Sequence, residues 1–161
     1  MTSETSWSFA RLGPDDADRY LDHLMRLDAE DRRFRFFENP PEFMIALHAG
    51  AATSDGRAVL ACAAEGEIRG AGELVPDVTD AALGELAFSV ERRWRRLGLG
   101  AALMRKMIDI AREKGVARLE LEILPENEAM QALARRFATD LESRGDTIVA
   151  KISTTPRQDV V

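Results

Sequence analysis

Residues 85–100 run Glu85-Leu86-Ala87-Phe88-Ser89-Val90, then Glu91-Arg92-Arg93-Trp94, then Arg95-Arg96-Leu97-Gly98-Leu99-Gly100. Leu86 to Val90 has the composition of a strand. From Leu99 the apolar spacing becomes helical, with Leu99, Leu103, Met107 and Ile110 on one face, and Gly115 after Arg112 and Lys114 marks the helix end. A strand therefore hands over to a helix through a turn rich in glycine and arginine. The first N–H groups of a helix lack intrahelical partners, and the helix dipole adds about half a positive charge there, so phosphate binds well at that end. Gly98 and Gly100 permit close main-chain approach, while Arg95 and Arg96 add charge.

A bare Gly-x-Gly also suits a dinucleotide-binding fold or a plain tight turn. Against the first, Leu103 stands where a third glycine would fall, and the preceding segments form a hairpin rather than a βαβ unit. No Lys-Ser or Lys-Thr pair completes a phosphate loop, so nucleotide hydrolysis and nicotinamide chemistry are disfavoured.

Working outward, Ala58–Ala64 and Ile68–Leu74 are apolar runs about a turn at Glu65-Gly66, an antiparallel hairpin. Earlier, Ser6 to Leu12 suits a short strand. Gly13-Pro14-Asp15-Asp16 opens a helix with Tyr20, Leu21, Leu24 and Leu27 on its apolar face. Asp28 to Phe37 is too densely charged and aromatic for a regular core element and is read as a short helix or ordered loop before Asn39-Pro40-Pro41. Beyond the central helix, Arg118–Leu124 alternates as a strand. Pro125-Glu126-Asn127-Glu128 opens a helix carrying Met130, Leu133, Ala134 and Phe137, and a hairpin over Asp140–Ile152 turns at Ser143 to Asp146.

With this order of elements, the sequence resembles the GNAT superfamily of acyl-CoA N-acyltransferases. The Glu85–Val90 strand, the Arg-x-x-Gly-x-Gly turn at Arg95–Gly100, the helix behind it, the Leu119–Leu124 strand and the spacing of Asn127, Met130 and Leu133 carry the likeness. The local likeness is greatest to the acetyltransferase domain of bacterial protein lysine acetyltransferases, through Glu85 and Asp31-Arg32-Arg33-Phe34-Arg35-Phe36. The resemblance implies an α/β fold of the mixed α+β kind, with a mostly antiparallel sheet splayed between its fourth and fifth strands and flanked by helices. Residues 1–152 would form one such domain, with 153–161 as a polar, flexible tail.

The resemblance also implies roles. Main-chain N–H groups of Arg95, Arg96, Leu97, Gly98, Leu99, Gly100 and Ala101 would hold the CoA pyrophosphate. The main chain of Phe88, Ser89 and Val90 would pair with pantetheine, and Asn127 would meet that arm from the far side. Acetyl-CoA is then the co-substrate and a primary amine, on a small molecule or a protein lysine, the acceptor. An amine must lose a proton before it attacks a thioester. Glu85 matches the family's catalytic glutamate, and partial burial would raise its pKa usefully. Arg32, Arg33 and Phe34 stand where the family selects acceptors. Many relatives use a tyrosine as general acid where this chain has Ala134. That difference leaves a second reading, a catalytically weak CoA-binding regulatory module.

Bulk properties set outer bounds. The chain has 161 residues, 45% of them hydrophobic, enough for one domain with an ordinary core. A net charge of -6 argues against nucleic acid as partner, although basic residues bunch between Arg92 and Lys106. No run approaches the ~20 apolar residues of a membrane span, and no signal peptide is evident. A lone Cys62 excludes an internal disulfide and points to the cytoplasm. Cys62 is expected in the core rather than as a nucleophile, and Trp94 over the helix start. His23 and His48 offer no metal-binding cluster. A homodimer is compatible with all of this.

Overall fold

The computed structural model describes residues 6–54 and 56–156. Its centre is a seven-stranded sheet in the order β1-β2-β3-β4-β5-β7-β6. The strands are β1 (Ser8–Arg11), β2 (Ala58–Ala64), β3 (Glu67–Pro76), β4 (Leu83–Val90), β5 (Arg118–Ile123), β6 (Asp140–Arg144) and β7 (Thr147–Ser153). Every neighbouring pair is antiparallel except β4 and β5. The helices are α1 (Ala17–Arg26), α2 (Ala29–Phe36), α3 (Glu42–Ala52), α4 (Leu99–Glu113) and α5 (Glu128–Arg135). This is the mixed architecture expected from the sequence.

Both sheet faces are covered, which explains the nearly continuous apolar run of β2. Leu60, Cys62 and Ala64 face α4 together with Leu74, Leu86, Phe88, Leu103, Met107 and Leu121. Val59 and Ala61, one residue out of phase, face α1 and α3 with Tyr20, Leu24, Ile45 and Ala49. Strand side chains alternate, so a strand buried on both faces is apolar throughout. Leu103, Met104 and Met107 of α4 are fully buried, each contributing about 1.5–3 kcal/mol of burial. Gly72 allows α4 to sit this close, since a Cβ there would lie 2.8 Å from Met107 Cγ and 2.9 Å from Phe88 Cε1.

The structure decides one open reading, adds a helix that was not assigned from the sequence and extends the ordered C-terminal end. Of the two alternatives for Asp28 to Phe37, the short helix is the one formed: α2 is capped by Asp28, whose Oδ1 accepts the Asp31 N–H at 2.9 Å. The helix α3 has no simple apolar stripe: Ile45, Ala49 and Ala52 are buried while Phe43, Met44 and Leu47 are exposed. The chain's C-terminal end also stays ordered beyond 152. Strand β7 continues through Ser153, and buried Thr154 donates its hydroxyl to Val116 O at 2.8 Å. Residues 157–161 of the expected tail lie outside the described residues. Among the described residues, no helix is long and apolar enough to cross a membrane.

Candidate active site

Strands β4 and β5 are paired only from Leu83↔Arg118 to Leu86↔Leu121. Beyond that point they part. β4 continues to Val90 against Gly70 of β3, and β5 continues to Ile123 against Ile148 of β7. Among the described residues, the main chain from Ala87 to Val90 therefore has no strand partner on its β5 side. The gap opens into a cavity of about 1010 Å³, lined by Glu85 to Val90, Leu121, Glu122, the turn before α4 and the start of α5.

The turn brings α4 into that cavity by its N-terminus. Gly98, at φ 80°, is the N-cap and no side chain caps the helix. The first intrahelical acceptor is Gly98 O, which takes the Ala102 N–H at 3.1 Å, so the N–H groups of Leu99, Gly100 and Ala101 have no carbonyl partner within the helix. The first turns of α1, α2, α3 and α5 each hold an acid, whereas that of α4 holds none. A long helix with an uncapped, acid-free end at a cavity fits a phosphate group.

The two arginines differ. Arg95 is already committed, its Nε donating to Val90 O at 3.2 Å and its Nη2 lying 2.5 Å from Asp31 Oδ1. Arg96 lines the cavity, is exposed, and has a left-handed backbone at φ 62°. Leu97 is 57% exposed and does not line the cavity.

Glu85 lines the cavity on the same sheet face as Ala87 and Ser89, opposite Val75 of β3 and Glu120 of β5. It is exposed, and no described side chain forms a hydrogen bond or ion pair with it, so the partial burial expected of it is absent. Asn127 also lines the cavity, but its Oδ1 accepts the Met130 N–H at 3.2 Å and caps α5, leaving its amide nitrogen free for a ligand. From α2, Arg33 and Phe34 line the cavity, and Arg33 pairs with Glu126 at 3.3 Å. Arg32 turns away, donating to Met25 O at 2.6 Å, and is not part of the lining.

A splayed pair of parallel strands, an uncapped helix behind a glycine turn and a cavity joining them agree with the match of the acetyltransferase (GNAT) family model to residues 21–138. The chain belongs to the GNAT family. Solved structures share this fold. The GNAT domain of PAT from S. lividans superposes with a TM-score of 0.81 at 22% identity, over 90% of this chain and 89% of that one. The ribosomal-protein-S18-alanine N-acetyltransferase from Escherichia coli gives 0.69 at 18%, over 97% and 99%. The structure of yncA from Salmonella typhimurium with its cofactor acetyl-CoA gives 0.69 at 15%, over 96% and 97%.

This GNAT site also contains a group that the sequence did not single out. Glu73 of β3 is 2% exposed and lines the cavity beside Ala87, its cross-strand neighbour. It pairs with buried Arg35 and accepts from His48 Nε2 at 2.9 and 3.0 Å. Burial, with the nearby charges of Arg35 and Arg57, lowers His48 to about 4, so the ring is neutral at pH 7. Tyr20 lies beneath this cluster. Burial raises its pKa, partly offset by Arg35, and it does not line the cavity. An isolated glutamate in a strand carries no sequence signal for such a role, because the cluster joins three elements far apart in the chain.

The remaining expectations concern packing. Cys62 is fully buried, and burial raises its thiol pKa to about 11. Trp94 is buried against Trp7, ring centroids 5.3 Å apart, and does not line the cavity. Ala134 is buried and likewise stands outside it.

Proposed function

We propose that this GNAT protein transfers an acetyl group from acetyl-CoA to a primary amine, of a small molecule or a protein lysine, by direct attack in a ternary complex. The observation that carries this reading is the unpaired β4 edge, Ala87–Val90, meeting the uncapped N-terminus of α4 in one cavity. When bound, acetyl-CoA supplies an acetyl group activated as a thioester. The N–H groups of Leu99, Gly100 and Ala101, with Arg96 beside them, bind its pyrophosphate. Main-chain groups of Phe88, Ser89 and Val90 align the pantetheine arm, and Asn127 approaches it from α5. Main-chain N–H groups on the same edge stabilise negative charge that develops on the acyl oxygen.

Glu85 accepts the proton of the amine, directly or through a water, from the open face of β4. Glu73 and His48 close the wall beside it, and Arg33 and Phe34 border the acceptor entrance. A buried free thiol at Cys62 suits the reducing cytoplasm. A second reading, a CoA-binding module with little catalysis, draws on Ala134, which provides no proton donor where many relatives have tyrosine. Calorimetric titration with acetyl-CoA, followed by an acetylation screen over amines and lysine peptides, separates the two. Binding without turnover on any acceptor favours the module, and no binding removes both.

A further inference from the structure

At the end of β4, where it has left β5, a buried polar cluster grips the strand from its other side. Glu91 is 7% exposed. Its Oε2 accepts from His23 Nδ1 at 2.9 Å, and its two oxygens share Arg26 Nε, each at 3.1 Å. Arg69 Nη1 donates to Oε1 at 3.2 Å. The main chain is held as well, since Glu91 N–H donates to Arg69 O and Glu91 O accepts from Trp94 N–H, both at 2.9 Å. Two residues earlier, Ser89 Oγ lies 2.8 Å from His23 Nε2. Because Nδ1 faces a carboxylate, it carries the ring proton, and Nε2 accepts from the Ser89 hydroxyl.

Two open strand edges side by side tend to pair, since each presents unsatisfied N–H and C=O groups. β4 and β5 are already in register for four pairs, so continued pairing past Leu86 would close the gap. The side-chain anchors on Ser89 and Glu91 come from α1 and β3, the Trp94 N–H adds a local main-chain contact, and none of them comes from β5. Burying a carboxylate and an imidazole is costly unless both are fully partnered, and here the two are partnered just beyond the stretch in which β4 runs free of β5.

We propose that Glu91, His23 and Ser89 form a pin that holds the second half of β4 on β3 and away from β5, so that the edge from Ala87 to Val90 stays open for the pantetheine arm of the donor. These are positioning residues, and the inference rests on the assignment of the cavity to CoA. Burial lowers the His23 pKa. Glu91 is pushed up by burial but held down overall by His23 and Arg26. A neutral ring beside a carboxylate is the state that these hydrogen bonds require.

The test is calorimetric titration of the full chain with CoA and with ADP, which has the pyrophosphate but no pantetheine arm, in wild type, Glu91→Gln and Ser89→Ala. Loss of the pin should weaken CoA about tenfold, as expected for one charged hydrogen bond, and leave ADP affinity unchanged. Equal weakening of both ligands, or unchanged CoA affinity, overturns the pin. Ser89→Ala removes one hydroxyl and leaves the ion pairs of Glu91 in place, so it decides the matter should Glu91→Gln fail to fold. Wild-type protein that binds no CoA rejects the donor assignment instead. An acetylated Ser89 after incubation with acetyl-CoA would make the serine a nucleophile and also overturn the pin.

Discussion

His48 Nε2 lies 2.9 Å from Glu73 Oε2, and the same carboxylate is paired with the buried guanidinium of Arg35. This part of the cavity wall is therefore built on an ion pair taken out of water. Removing one partner leaves an uncompensated buried charge. Glu73→Ala should lower stability by about 3–5 kcal/mol, and the double variant Glu73→Leu with Arg35→Met should recover most of that loss. Urea denaturation of the three proteins measures both. A Glu73→Ala loss below about 1 kcal/mol, the level of an exposed pair, would show that the pair is solvated.

Glu85→Gln keeps the size of the side chain and removes its basicity. If Glu85 takes the proton from the amine, kcat falls about 10²-fold or more, while the acetyl-CoA Kd, set by main-chain contacts elsewhere, is unchanged. Wild-type turnover by the variant on a responsive acceptor would remove Glu85 from the mechanism.

Gly98, at φ 80°, has open space where a Cβ would stand, and that space adjoins the free N–H groups of α4. Gly98→Val should therefore strain the turn by about 1–2 kcal/mol and block close approach of the pyrophosphate. Thermal melting should still show a folded protein, with CoA binding lost by calorimetry. Retained affinity would exclude this turn as the phosphate site.

Arg96 sits at φ 62°, where glycine is preferred. Arg96→Gly should raise stability by about 1 kcal/mol by relieving the left-handed backbone. It should also weaken CoA, twofold or threefold at low salt and less at high salt, as an exposed charge does. Opposite signs for stability and affinity are the signature. A variant less stable than wild type would mean that the side chain supports the turn.

Three groups make the fold acid-labile. His23 and His48 are lowered by burial, and Glu91 is lowered by its partners. Each binds protons more readily unfolded than folded, so stability is complete above about pH 6.5, the unfolded histidine value. It falls as the pH drops toward the His48 value of about 4 and falls further as Glu91 protonates. Cys62 acts at the other end. Its raised value of about 11 means that its contribution is intact below the ordinary thiol value of 9.0 and is lost as pH rises from there toward 11. Melting temperature against pH should show both flanks, and a flat profile between pH 4 and 7 would contradict the buried histidines.

Much of the fold was legible in short-range pattern. Leu99, Leu103, Met107 and Ile110 gave α4, and Asn127 before Met130 gave the start of α5. In α3 the buried face is made of Ile45, Ala49 and Ala52 while Phe43 and Leu47 look outward, so hydrophobicity alone does not show which side packs. The same limit hid the charged cluster. Arg35, His48 and Glu73 are ordinary polar residues until α2, α3 and β3 bring them together.

The sequence by itself determined the glycine turn and the uncapped start of α4, because both depend on residues adjacent in the chain, those of Arg95–Gly100. Tertiary structure decided the rest. It set where β4 leaves β5, left Glu85 exposed without a partner among the described residues, buried Glu73 under His48 and Arg35, and placed Glu91 against His23. Those properties arise from side chains tens of residues apart that meet only when the sheet is built and its faces are covered, and local spacing carries no record of such meetings.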